Sequence, residues 1–203
     1  MSWLLTTICN SELKRDPIAT AEELRSVFQS EQDYLYWIAL VITGDDASAK
    51  KCLVDASGLS SRTGGVFHDW LWIWSGSATA RMAANSMRET IGASVPHYLS
   101  MACDHDSHEL LSEKQIRSIC QLDPRQVISD LDPISRAMLV LRGFQGASVA
   151  DCVLHLQIPR QCVIAAYCNV VRWVSETTRS VADYEKAAKP FWTILDAERR
   201  FLS

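Results

Sequence analysis

The sequence predicts an all-α protein, and two observations support that prediction. Helix-capping signals and apolar stripes with helical spacing recur along the chain. Almost no segment alternates apolar and polar residues as a half-buried strand would. With 48% apolar and 22% charged residues among 203, the composition is that of a globular protein and excludes a disordered, collagenous or coiled-coil chain.

The first helices are marked by their ends. Thr20 and Glu23 form a T-x-x-E capping box, which predicts a short helix through about Phe28. A second helix is predicted over 31–43, because apolar residues recur there at helical spacing and Gly44 follows as a stop signal.

The next stretch predicts two helices separated by a loop. Asp45 or Asp46 is placed to cap a third helix through about Ala56. Residues 57–65 are mostly Ser, Gly, Thr and Arg and predict a loop. A long aromatic helix is then expected over 66–89.

A more polar interval divides the chain in two. Residues 91–129 contain Pro96 and Pro124 and predict an interdomain linker with one short helix near 111–120. The expected fold is therefore two small helical domains joined by that linker. Its parts are an N-terminal extension at 1–30, a helical domain at 31–90, the linker at 91–129, a second domain at 130–178 and a C-terminal helical tail at 179–203.

The second domain has the spacing of a helix-turn-helix. Asp132 is placed to cap a helix that Pro133 begins, and Ser148 with Asp151 forms the capping box of the next. A tight turn leads into a third helix over 160–175. Spacing alone favours DNA readout and a plain three-helix bundle about equally.

The C-terminal tail has two readings. Ser180 and Asp183 form a further capping box, and aromatic residues follow Pro190. We expect the tail to pack back onto one of the small domains, with a partner-binding helix as the alternative.

The net charge and the cysteine pattern limit which classes of function the sequence fits. The net charge of −4 argues against an extended DNA-wrapping surface, which needs a basic face. Seven cysteines without a C-x-x-C pair favour free thiols in a reducing compartment. No membrane-spanning or signal segment is predicted, so we expect a soluble, cytoplasmic protein.

No motif for an enzyme or a cofactor stands out. A nucleophile paired with a base, a phosphate-binding glycine loop and a catalytic carboxylate pair are not evident, so we expect no enzymatic activity and no cofactor. His97, Cys103, His105 and His108 offer zinc-ligand chemistry but match no known finger spacing. Incidental histidines in a polar segment are the favoured interpretation, and no metal is predicted.

The order of these pieces resembles a known family. Residues 132–142, 146–151 and 156–159 resemble region 4 of bacterial RNA polymerase sigma factors of the extracytoplasmic-function type. Residues 42–49 and 67–71 resemble region 2 of the same family. The resemblance implies a promoter-specificity subunit that binds core RNA polymerase and promoter DNA, with an anti-sigma or other protein as a possible further partner and no membrane contact.

The last helix of region 4 would read the promoter. Its apolar face, namely Val163, Ala166, Tyr167, Val170 and Val174, is expected to pack inward. That leaves seven side chains toward solvent or DNA: Arg160, Gln161, Ile164, Ala165, Cys168, Asn169 and Arg172. The DNA-binding residues predicted from this set are Arg160, Gln161, Ala165, Asn169 and Arg172.

Region 2 would bind the polymerase and open the promoter. At the positions that match the family's acidic polymerase contact, this chain has Lys50 and Lys51, with Asp55 as the retained acid. Trp70, Trp72 and Trp74 are expected to serve core packing more than base stacking.

Two functions therefore remain open. One is a sigma-factor-like transcription initiation or regulatory protein with altered contact surfaces. The other is a non-DNA-binding all-α interaction module derived from the sigma fold, and it is motivated by the loss of matching charge at those surfaces.

Overall fold

A computed structural model of the chain describes residues 18–59, 66–101 and 110–181, with side chains to residue 178. Those ranges contain helices and no strand, which confirms the all-α class. An isolated β-bridge pairs Ile18 with Phe67. The α-helices are α1 (Ala21–Ser30), α2 (Gln32–Thr43), α3 (Asp46–Leu59), α4 (Leu71–Ser86), α5 (Arg88–Leu99), α6 (Glu113–Cys120), α7 (Pro124–Asp130), α8 (Pro133–Met138), α9 (Val149–Leu156) and α10 (Arg160–Val181).

The predicted helix ends are confirmed where a local signal specifies them. The Thr20–Glu23 box is formed at the start of α1, and its reciprocal hydrogen bonds satisfy amide groups of the first turn. Gly44 ends α2 in the left-handed region, at φ 73°, which a residue with a Cβ adopts at a cost. Asp45 accepts a hydrogen bond from the Ser48 amide at 2.8 Å and so caps α3.

The capping signals of the second half are confirmed in the same way. The Asp132 carboxylate accepts hydrogen bonds from the amides of Ile134 and Ser135 at 3.0 and 3.2 Å, at the start of α8. Ser148 and Asp151 form the box that begins α9. Gln157 ends that helix in the left-handed region and turns the chain toward α10.

Other expected bounds are wrong, because apolar content without a capping signal does not locate a helix end. The long aromatic helix is two helices, α4 and α5, that meet at Met87. Its first residues instead form the bridge at Phe67 and a 3₁₀ turn, His68–Trp70. α10 continues beyond its expected end to Val181.

One buried cluster runs from Ile38 in α2 to Val174 in α10. It includes Ile91, Ile119 and Val127, which lie in the interval predicted to be a linker and are fully buried. That interval holds α6, α7 and most of α5. Because α5 and α7 contribute to the same core as α2 and α10, the two-domain division is not confirmed by the packing.

α8 continues into a π-helical segment, Leu139–Phe144. The amide of Gln145 donates to the carbonyl of Val140 at 2.9 Å, which closes the wider turn. The Arg142 guanidinium is turned inward, where it donates to the carbonyl of Ala147 at 3.1 Å and lies 4.8 Å from the centre of the Tyr167 ring. This segment therefore fixes the approach of α9 to α10.

The thiols are divided between two states. Cys52, Cys120, Cys152 and Cys162 are free, as expected. Cys168 is disulfide-bonded, so the expectation of free thiols is wrong at that position. Sequence spacing does not reveal which cysteines meet in space. Across the described ranges, no helix combines the length and the apolar character needed to span a bilayer.

Candidate functional site

The apolar face of α10 packs inward as predicted. Five side chains at helical spacing are buried in the main core, and they are Val163, Ala166, Tyr167, Val170 and Val174. α10 contacts α8, α5, α6 and α9, so neighbouring helices cover it on several sides. A helix enclosed in this way must bury more than one stripe.

Two residues expected on the outer face of α10 are buried. Ala165 and Cys168 are each 3% exposed. Their predicted outward positions are wrong, because α10 packs against more helices than a helix with one buried stripe would. Arg160, Gln161 and Arg172 are exposed, as expected of solvent-facing residues.

Asn169 faces a polar network in the protein interior. Its side-chain amide donates to the Ser135 hydroxyl at 3.1 Å. The Ser135 hydroxyl lies 2.6 Å from that of Tyr98, and the Tyr98 hydroxyl donates to the Asp132 carboxylate. The network joins α5, the N-terminus of α8 and α10, so the Asn169 amide contributes to helix packing.

The electrostatics of this network favour neutral Tyr98. Burial raises the pKa of the Tyr98 phenol, and its hydrogen bond to Asp132 raises it further. The carboxylate of Asp132 also accepts from two backbone amides, which is the usual role of an N-cap. The hydrogen bonds of this network therefore hold the three helices together.

The predicted polymerase-binding residues lie on the exposed face of α3. Lys50, Lys51 and Asp55 are all exposed. The Lys50 ammonium lies 2.8 Å from an oxygen of Asp46, which also accepts a hydrogen bond from Tyr36. This pairing raises the pKa of Lys50 and lowers that of Asp46. Lys50 is thus engaged within its own helix at an exposed ion pair of small energetic weight.

A different surface stands out in the structure, and we call residues 66–74 the aromatic turn. Seven of these nine residues are apolar. Val66 and Leu71 are buried against Leu24 of α1. Phe67 and Trp70 instead expose 56% and 62% of their surface, and Ile73 is also exposed.

The three tryptophans have different environments. Trp74 is half-buried and packs edge-on against Phe28, with ring centres 6.3 Å apart, so the core-packing expectation is confirmed for Trp74. Trp72 stacks on Tyr34 at 5.6 Å but remains partly exposed. The core-packing expectation is wrong for Trp70, because the inward positions of this turn are already occupied by Val66 and Leu71.

No family model matches the chain, and no curated protein and no solved structure matches it.

The charges around the aromatic turn are mostly negative. Within residues 18–37 and 66–74 the one lysine or arginine is Arg25. The acidic side chains there are Glu22, Glu23, Glu31, Asp33 and Asp69. The Nε2 atom of His68 lies 3.6 Å from a carboxylate oxygen of Glu23, which connects the turn to α1. An exposed apolar surface with acidic neighbours is suited to a partner that carries apolar and basic groups.

Sequence reasoning missed Ile18 and Phe67 as surface residues. A signal was available for Phe67, since a run of seven apolar residues in nine cannot all point to one side of a single turn. Which residues of the turn face outward depends on α1, because Val66 and Leu71 pack against its Leu24.

The possible zinc ligands fall largely outside the described residues, as Cys103, His105 and His108 do. His97 is exposed and its ring lies edge-on to Tyr98 at 5.3 Å. Among the residues that the structure describes, no three His, Cys, Asp or Glu side chains are grouped as metal ligands would be.

Proposed function

We propose that this protein is an all-α protein-interaction module that does not read DNA with α10. The observation that carries the proposal is the burial of the central part of the face that would enter a major groove. Ala165 is 3% exposed, and the Asn169 amide is bonded to Ser135 inside the protein. A recognition helix needs several outward side chains that reach base edges.

Charge supports the same proposal. Among the predicted DNA contacts, Arg160 and Arg172 are the exposed cations. Binding that depends on counterion release requires many neutralised phosphates, and the chain as a whole carries a charge of −4. Two arginines on an acidic protein would supply little of that affinity.

A sigma-factor-like role is the second candidate, favoured by one specific observation. Arg160 and Gln161 are exposed at the N-terminal end of α10, directly after the turn. In a helix-turn-helix the N-terminal residues of the second helix contact the bases. In this candidate the chain binds core RNA polymerase through α3 and promoter DNA through α10.

Assays of transcription and of DNA binding with the purified full-length chain distinguish the two candidate functions. Fluorescence anisotropy would measure binding to random-sequence duplex DNA between about 50 and 200 mM salt, and run-off transcription would be tested with core enzyme. We expect no salt-sensitive DNA binding and no run-off product. Run-off transcription that depends on the chain and is lost in Arg160→Ala would overturn the proposal and establish the second candidate.

A further inference from the structure

We propose that the exposed part of the aromatic turn, together with Ile18, docks a basic amphipathic segment of a partner protein. This inference rests on the proposed interaction function and specifies its partner. The surface, which we call the docking surface, consists of Ile18, Phe67, Trp70 and Ile73.

The four side chains are contiguous because of the local backbone. Ile18 and Phe67 are paired by the β-bridge, so their side chains lie side by side. The amide of Trp70 donates to the carbonyl of Phe67 at 3.0 Å, which places these two residues one 3₁₀ turn apart on the same face. Ile73 follows Trp70 by three residues, at the first turn of α4.

The docking surface is held on a packed platform. Beneath it, Leu24, Val66 and Leu71 form a small buried cluster against which Val27 and Trp74 also pack. The amide of Ala19 donates to the carbonyl of Val66 at 2.7 Å and fixes the segment that carries Ile18. The turn therefore buries what its own stability needs, and the exposed side chains remain available for a partner.

The charges beside the docking surface select the partner's chemistry. Asp69 lies within the turn and is exposed, and Glu22 is exposed in the first turn of α1. Glu23 reaches His68 of the turn, so the start of α1 lies beside the docking surface. Lysine or arginine flanking an apolar face would meet attractive charges here.

The same charges disfavour single-stranded nucleic acid. Exposed tryptophan and phenylalanine rings can stack bases, but that binding also needs cations to follow the phosphate backbone. Among the described residues of α1 and the aromatic turn, Arg25 is the one lysine or arginine, against the three carboxylates of Glu22, Glu23 and Asp69. Phosphates would be repelled at the positions where lysines would be attracted.

The experiment uses the full-length protein and two synthetic peptides of about 18 residues, long enough for five helical turns. One peptide is an amphipathic Leu/Lys helix and the other has the same apolar face with Glu in place of Lys. Binding is measured by isothermal titration calorimetry at low and high salt. We expect the Leu/Lys peptide to bind and the Leu/Glu peptide to bind at least about tenfold more weakly.

Variants assign the binding to this surface. Trp70→Ser should weaken binding of the Leu/Lys peptide about tenfold, because the variant loses an aromatic anchor. The double variant Glu22→Lys with Asp69→Lys should also weaken binding of this peptide and reduce the salt dependence of that binding. Leu154→Ser is the matched control, because Leu154 is 71% exposed on α9, and it should leave binding unchanged. Circular dichroism would verify that every variant is folded.

Several results would overturn the inference. Equal binding of both peptides would show general apolar adhesion, and unchanged binding in Trp70→Ser would place the site elsewhere. A dimer in light scattering that Trp70→Ser dissociates would make a second copy the occupant. Binding of single-stranded DNA that Trp70→Ser removes would make nucleic acid the ligand.

The inference and the proposed function can fail separately. If the chain supports run-off transcription while the Leu/Lys peptide still binds at Trp70, the proposed function fails and the docking surface remains. If the chain binds neither DNA nor the peptide, the docking inference fails and the assignment of α10 as a non-reading helix remains.

Discussion

α10 and the aromatic turn are both rich in apolar residues, and they use them in opposite ways. α10 buries small side chains expected to face outward, including Ala165. The aromatic turn exposes a large side chain expected to face inward, Trp70. The difference follows from local packing, since neighbouring helices cover α10 on several sides, whereas in the aromatic turn Val66 and Leu71 already occupy the inward positions against Leu24.

This contrast shows that residue size alone does not report burial. Alanine and cysteine side chains are small enough to fit where helices approach closely, so they are common in a helix that several others enclose. Tryptophan is seldom fully buried, and it stays at the surface when smaller side chains have already filled the inward positions. For α10 the consequence is a structural helix, and for the aromatic turn it is a site for a partner.

The largest effect should come from a charge placed in the buried face of α10. Ala165→Arg should lower the free energy of unfolding by at least about 3 kcal/mol, because it overpacks the site and buries a cation without a partner. Urea unfolding followed by circular dichroism measures it. Gln161→Arg, on the exposed side of the same helix, is the control and should change stability by less than about 0.5 kcal/mol. Equal stability in both variants would mean that Ala165 faces solvent.

A smaller effect on stability is expected from alkaline pH, through Cys152 of α9, the helix before α10. Burial raises the pKa of the fully buried Cys152 thiol to about 11. Because the folded-state pKa lies above the unfolded value of about 8.5, the contribution to stability is complete below pH 8.5 and is lost as pH rises through 11. The loss should be at most about 3 kcal/mol, since the two pKa values differ by about 2.5 units and each unit corresponds to about 1.4 kcal/mol.

Cys152→Ala isolates that contribution. Its unfolding free energy should fall less steeply than that of the parent chain between about pH 8.5 and 11, measured by urea unfolding. Between about pH 6 and 8 the two chains should run parallel, since the thiol is neutral in both states there. Identical slopes throughout the alkaline range would mean that Cys152 is accessible to water.

Much of the fold could be predicted because short-range chemistry determines helix ends. The capping residues Thr20, Asp132 and Ser148 each bond to an amide two or three residues away, and a sequence displays such pairs directly. Gly44 likewise has a local reason, its positive φ. The apolar stripe of α10 was predictable for the same reason, since its spacing lies within one helix.

The rest depends on contacts between distant residues. Asn169 bonds to Ser135 across 34 residues, and Ser135 in turn bonds to Tyr98 across 37 residues. No local pattern encodes these separations. Ile91 and Val127 belong to the main core although they lie in a stretch whose polarity resembles a linker. The docking surface requires Ile18 beside Phe67, a pairing that follows from tertiary structure. Local patterns predicted helices, and the enclosure of those helices determined which surface was left for a partner.

The smallest effect is expected at the aromatic turn, and it tests the comparison most directly. Trp70→Ser should change the free energy of unfolding by less than about 0.5 kcal/mol, because the ring is 62% exposed. Leu71→Ala, one residue further on, should lower it by about 2 kcal/mol or more, because Leu71 packs against Leu24 in the buried cluster. Thermal and urea unfolding of both variants measure the difference. A large loss in Trp70→Ser would make the ring part of the core, and the aromatic turn would then resemble α10 instead of contrasting with it.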